Sequence, residues 1–295
     1  MTIGFLLALA AGFIWSGVNV IDKAIVSKYI RNPIFIIVVF SFVSLAVGLI
    51  MAPFISWDLS GTAWVWMIIG SVGYVLGNLF YFYALKIEEA SRVVPLFALS
   101  TVFLVIMSAI FLGELFGFQT YFGIAVIVLG SIIISARSGF SQILRSKALW
   151  LMIVSSFGFA VAYIIIKYLL DAYDYWQVFG IQRLLVGIIG LLSVPLFFKE
   201  IREVYQQIKK WHMALSSFSE ILNLFGNFIF TVAMAFWFVA LVESVSAVQY
   251  VFIFFWALII SRFRPSLFAE EVNKKVIFQK IISIALIVLG IYLIT

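Results

Sequence analysis

Ten stretches of this chain are apolar for long enough to cross a lipid bilayer or come close to it, and that feature removes most folds from consideration. A helix needs about 20 apolar residues to traverse roughly 30 Å of hydrocarbon. The runs at 3–22, 33–54, 63–85, 92–112, 117–136, 147–169, 176–198, 214–241, 246–262 and 276–294 are separated by charged residues, glycine or proline. Composition agrees: 65% of residues are hydrophobic and 11% charged, where a soluble domain has about 25% charged. A water-soluble globule is excluded, and almost no chain remains outside the runs for a soluble domain. The longest polar stretch, 199–212, is one short amphipathic helix. The first run has a signal-like Ala8-Leu9-Ala10, yet no positive charge precedes it and it continues to Val20, so it reads as a retained helix. Eighteen per cent aromatic residues can supply interfacial belts and line a cavity, and the lack of cysteine excludes disulfides, thiolate metal sites and thiol nucleophiles.

The two ends of the chain resemble each other. Ile124-Ala125-Val126-Ile127-Val128-Leu129-Gly130 returns as Ile284-Ala285-Leu286-Ile287-Val288-Leu289-Gly290, with six identities in seven. Further anchors keep a similar offset: Phe13 and Lys23 opposite Phe157 and Lys167, Gly48 and Pro53 opposite Gly190 and Pro195, Ala84-Leu85 opposite Ala240-Leu241, Ser91 opposite Ser246. The pattern implies a five-helix unit duplicated, 1–140 and 141–295. Because five is odd, the second copy enters the membrane from the other side. The expected fold is therefore an all-α integral membrane protein of ten transmembrane helices in two inverted five-helix repeats. That arrangement occurs in secondary transporters, whose pseudo-twofold halves rock around a site near the midplane.

Orientation follows from the basic residues. Lys23, Lys28, Arg31, Lys86, Arg92, Arg137, Arg145, Lys147, Lys199, Arg202, Lys209, Lys210, Arg262, Arg264, Lys274, Lys275 and Lys280 fall in loops on one face, whereas the face with both termini carries only Lys167, and Arg183 lies within a helix. The net charge of +6 thus reads as membrane topology and not as nucleic-acid binding. Both termini are expected outside the cytoplasm, in the plasma membrane of a bacterium or archaeon.

Residues 84–114 carry a family resemblance. Ala84-Leu85, Ala90-Ser91-Arg92-Val93-Val94-Pro95-Leu96, Ser100-Thr101-Val102-Phe103 and Ile110-Phe111-Leu112-Gly113-Glu114, followed by a glycine-containing helix, resemble the EamA-type transporters of the drug/metabolite transporter superfamily. The resemblance implies a ten-helix exporter or exchanger of small metabolites with a central cavity lined from both halves. The second copy departs from the pattern: Glu243-Ser244-Val245-Ser246-Ala247-Val248-Gln249-Tyr250 lacks the proline, and Ala269-Glu270 replaces Gly-Glu. Ten-helix members usually resemble one another in having termini inside, the reverse of this charge count, so the direction of transport does not carry over.

Polar residues inside spans are costly and ask for a partner or a wet cavity. Glu220, Asn223, Asn227 and Thr231 are spaced by three, four and four and share one helical face. They form either a cavity wall or an interhelical hydrogen-bond seam. Tyr74, Asn78 and Tyr81 occupy the equivalent helix of the first half, beside a Gly73/Gly77 pair suited to packing. Arg183, about 10 Å inside its helix at 1.5 Å per residue, is expected at the cavity, holding a carboxylate or phosphate, or else snorkelling outward or satisfying helix-end carbonyls; it reaches Glu220 only if both side chains stretch along the axis. Glu220 is the candidate for proton coupling, or a solvated helix-start residue. Trp15, Asn19, Tyr163 and Gln249 complete the expected substrate site, while Lys23 and Lys167 read as interfacial anchors and Glu88 and Glu89 as solvated loop charges. No metalloprotease signature, nucleophile elbow or phosphate-binding loop is present. The expectation is a carrier without cofactor, metal, catalytic activity or nucleic-acid partner, moving an amino acid or similar zwitterion or anion. The alternative is a multidrug exporter of aromatic cations, with a flipped lipid-like substrate also open.

Overall fold

The computed structural model describes residues 2–135, 146–263 and 274–294. The first half supplies α1 (Thr2–Ala24, prolonged by a π-helical turn, Ile25–Tyr29), α2 (Pro33–Met51), α3 (Gly61–Ile87), α4 (Ala90–Val93 through Ala98–Met107) and α5 (Phe118–Ser135). The second supplies α6 (Lys147–Leu170), α7 (Tyr175–Leu191), α8 (Lys210–Phe236), α9 (Val239–Ser246 continued by Val248–Phe263) and α10 (Lys274–Ile294). Among the described residues, nine spans are long and apolar enough to cross a membrane, and α10 adds a shorter apolar stretch, Phe278–Ile294. Burial is inverted relative to a soluble protein: Asn19, Asp22, Asn78, Arg183, Glu220 and Asn227 are buried, whereas Ile50, Phe54, Phe111 and Phe118 stand exposed. Lipid is the solvent that tolerates such a surface.

Local chemistry sets the helix ends. Asn32 caps α2 by accepting from the Phe35 N–H at 2.9 Å ahead of Pro33, Ser60 caps α3 through the Ala63 N–H, Ser146 caps α6 through the Leu149 N–H, and Asp174 caps α7 through the Trp176 N–H. In α4, Pro95 lacks an amide proton and the backbone tightens into a 3₁₀ turn at Val94–Phe97. A π-helical turn, Ser108–Leu112, prolongs α4 and ends at Gly113, whose φ of 67° suits glycine.

Sequence and structure differ most between α8 and α9. The apolar run 214–241 reads as one span, but the helix breaks at Trp237 and α9 starts at Val239, so α9 is longer than its run of 246–262. The stretch 199–212 contains the amphipathic helix Phe198–Gln207, which lies against α2 and is tied to it by Asn32 Nδ2 donating to Glu200 Oε1 at 2.5 Å. Arg92 and Lys280, assigned to loops by the sequence, are only 3% exposed. Arg92 pairs with Glu89 at 2.8 Å, so Glu89 is not simply a solvated loop charge, and Lys280 donates to Ser91 Oγ at 3.1 Å. Arg137, Arg145, Arg264 and Glu270 lie outside the described residues.

The helices pair across the two halves: α1 with α8, α3 with α6, α2 with α7 and α5 with α10. Every one of these pairs is antiparallel. Along α3 and α6, Gly70 meets Ile165 while Gly77 meets Ser155 and Phe159; along α5 and α10, Gly123 meets Gly290 while Gly130 meets Ser283 and Ile287. Exchanging α1–α5 with α6–α10 reproduces the pattern. The two end lysines follow it too. Lys23, in the last turn of α1, donates to the Leu85 and Glu88 carbonyls at 2.7 and 2.6 Å at the end of α3, and Lys167, in the last turn of α6, donates to the Met234 carbonyl at 3.1 Å at the end of α8. Both satisfy helix C-terminal carbonyls and complement the helix dipole.

The α3/α6 crossing is backbone against backbone. A methyl on Gly158 would stand 2.6 Å from the Gly73 carbonyl oxygen. Gly158→Ala should therefore cost about 1–3 kcal/mol through forced separation of the helices and lower the thermal midpoint in detergent, followed by tryptophan fluorescence. Gly17→Ala in α1, with nothing within 4 Å of the added methyl, should leave the midpoint unchanged or raise it.

Candidate functional site

A central cavity of about 60 Å³ lies where the crossing helices meet, room for a few waters and well below the several hundred cubic ångströms of a drug-sized pocket. Trp15, Asn19 and Asp22 of α1 line it opposite Tyr74, Asn78 and Tyr81 of α3 and Phe97 of α4. The second half contributes Phe159 and Tyr163 of α6, Asn223 and Asn227 of α8, and Glu243 and Gln249 of α9.

Cross-helix hydrogen bonds position these groups. Asn19 joins three helices, with Nδ2 donating to Gln249 Oε1 at 2.9 Å and Oδ1 accepting from the Tyr81 hydroxyl at 2.9 Å. The Tyr74 hydroxyl accepts from Asn227 Nδ2 at 3.1 Å and from Asn223 Nδ2 at 3.4 Å. Thr231 Oγ1 donates to the Asn227 carbonyl and Asn78 Nδ2 to the Tyr74 carbonyl, each at 2.9 Å. The polar face of α8 is thus wall and seam at once, since Asn223 and Asn227 reach the cavity and also bind α3. Trp15 stands over Gly226, where a methyl would come 2.8 Å from its Nε1. Its ring lies 5.0 Å from that of Phe230, which lies 4.9 Å from Tyr163.

Arg183 and Glu220 are buried but do not line this cavity. The Arg183 guanidinium sits behind the Tyr74 ring, 4.6 Å from its centroid, and 5.2 Å from that of Phe179. Both rings present their negative faces to the cation. Its Nη2 donates to Gln182 Oε1 at 2.6 Å, and Nε and Nη1 have no hydrogen-bond partner. Glu220 accepts from Asn223 Nδ2 at 2.9 Å beside a second, much smaller void shared with Ser41, Tyr74 and Asn78. It is 2% exposed, which removes the solvated alternative. No Arg183–Glu220 ion pair forms among the described residues.

Two carboxylates on the wall escaped the sequence reading. Asp22 was placed at the last residue of the first span, but α1 continues beyond it, and its Oδ1 accepts from Ser219 Oγ of α8 at 2.7 Å. Glu243 was placed in the degenerate motif between spans, but it sits in the buried first segment of α9, accepting from Ser100 Oγ of α4. No arginine or lysine is among the lining residues.

Apolar helices around a polar cavity lined from both halves define an integral membrane protein. Residues 2–136 match the model of the EamA-like transporter family. The chain is also 32% identical, over 78 residues, to an uncharacterized transporter in the cobO 3′ region of Sinorhizobium sp.. That match covers 26% of this chain and 55% of the relative, so the chain spans about half the length of the curated relative. A solved structure described as "Crystal structure of protein" is similar with a TM-score of 0.66 and 17% identity, covering 98% of this chain and 97% of the other, and it shares the fold.

Tyr74→Phe removes the acceptor that holds two amides across the halves. It should cost about 1–2 kcal/mol, read as a lower thermal midpoint. Asn78→Ala, which loses a bond within its own helix, should cost less.

Proposed function

We propose that this protein is a secondary active transporter that moves a small, hydrogen-bonding solute by alternating access, with the central cavity as its cargo site. The observation that carries this reading is the make-up of the wall. It draws on α1, α3 and α4 from one half and α6, α8 and α9 from the other, which are the same three positions of each five-helix unit. A site shared by equivalent elements of inverted repeats is the arrangement that lets two opposite openings exchange around one ligand. The reading is of a carrier and not an enzyme, working in a plasma membrane with both termini away from the cytoplasm. A terminal reporter that fluoresces only in the cytoplasm should stay dark.

The charge of the wall sets the cargo. With Asp22 and Glu243 on it and no basic side chain, a neutral or positively charged solute is favoured, and the volume favours a small metabolite over a multidrug substrate. A second reading, a zwitterionic or anionic cargo held by Arg183, draws on the two unpartnered guanidinium nitrogens and needs the Tyr74 ring to swing away. Uptake into proteoliposomes of pooled labelled small amines, amino acids and organic anions separates the two. Under the first reading the wild type accumulates amines and Arg183→Gln keeps that uptake within about threefold; amino acid or anion uptake lost in Arg183→Gln would establish the second.

Proton coupling is assigned to Glu220, whose carboxylate is bound to Asn223 one turn from the Tyr74 contact. Uptake by the wild type should respond to an imposed pH gradient, and Glu220→Gln should transport without that response. A gradient response unchanged in Glu220→Gln would remove this role.

A further inference from the structure

The short helix Phe198–Gln207, between α7 and α8, covers a groove that has no part in the central cavity. The groove encloses about 280 Å³, against about 60 Å³ at the centre. Its floor is α2 from Phe35 to Phe42, and Phe198, Ile201 and Tyr205 of the short helix form the opposite wall. Phe35 and Phe42 are two turns apart, so the groove runs about 10 Å along α2, inward from the membrane face at which α2 begins. Phe42, Phe198 and Tyr205 are more than 45% exposed, which leaves the groove open to lipid. Among the described residues that line it, Arg202 alone is charged.

The short helix sorts its side chains by edge. Phe198, Ile201 and Tyr205 recur at helical spacing on the groove side. Lys199 and Arg202, three apart, share one flank of that apolar face, and Glu200 and Glu203 share the other. Asn32 binds Glu200, and neither glutamate lines the groove. Arg202 is exposed and makes no ion pair with a described residue. Its long stem can follow the apolar wall while the guanidinium stays at headgroup level.

We propose that this groove binds one anionic phospholipid, an acyl chain lying between α2 and the short helix and the phosphate held by Arg202. The match is one of charge and shape. A groove apolar but for one arginine suits a hydrocarbon chain, and a guanidinium holds a phosphate through two parallel N–H···O bonds. A zwitterionic headgroup carries a cation beyond its phosphate, which Lys199 beside Arg202 repels, so a net negative lipid is preferred. The site is independent of what the central cavity carries.

Native mass spectrometry tests this on the full-length protein released from detergent micelles that contain phosphatidylglycerol and phosphatidylcholine with identical dioleoyl chains. One phosphatidylglycerol should stay bound, in about tenfold preference over phosphatidylcholine. Arg202→Gln should abolish the preference, whereas Lys86→Gln, which removes an exposed charge at the end of α3, should leave it intact. Val194→Trp, which puts an indole into the groove that Val194 lines, should reduce retention of both lipids. Glycerol 3-phosphate, with the phosphate and no chain, should not displace the bound lipid. Equal retention of the two lipids, a preference that survives Arg202→Gln or is lost equally in Lys86→Gln, or displacement by glycerol 3-phosphate would overturn the site. Unchanged retention in a folded Val194→Trp would do the same, and the two exposed substitutions decide the matter if that variant does not fold.

Discussion

Hydrocarbon offers a protein no hydrogen bonds, so every polar group carried into a bilayer must find its partner within the protein or in trapped water. Helical backbones meet that demand locally. The amides, hydroxyls and acids that this chain carries on its helices have to meet it across helices, and the packing is organised around their doing so. Asn19 is satisfied only where α1, α3 and α9 come together, and the Tyr74 hydroxyl only where α3 faces α8. The polar centre is thus a set of distances that several helices must satisfy at once, and the cavity is the space that remains when they do.

Arg183 shows how far this goes. A guanidinium at 1% exposure with one side-chain hydrogen bond is held by two aromatic faces, and the nearer ring belongs to a tyrosine whose hydroxyl anchors the amides of α8. Tyr74 separates a positive interior from a cavity wall of negative groups. The field in the cavity depends on that ring staying where it is, since the side chain that covers the arginine also lines the wall.

The apolar runs made the helices legible, because period and length suffice when the solvent is lipid. The shared offset set Lys23 opposite Lys167, and each bonds a carbonyl at the end of another helix. Depth was harder. Asp22 and Glu243 sat at apparent ends of runs, where an acid normally meets water; a helix that continues as a π turn, and a start to α9 inside the preceding apolar run, carried both into the centre. Arg183 erred the other way: its depth was readable, but the side of the helix it occupies relative to Tyr74 depends on how α7 meets α3, which no local pattern encodes. The signal that could have found Glu243 was its place in the degenerate motif, one helical turn before Ala247.

The glycine contacts have a mechanical consequence. At Gly73 and Gly158, and at Gly123 and Gly290, backbones touch with no side chain between them, so neither seam contains a rotamer that could adjust to separation of its helices. Each seam joins one helix from the front of the chain and one from the back. The tightest joints of this molecule therefore run between the two ends of the sequence and bind them into one packed body.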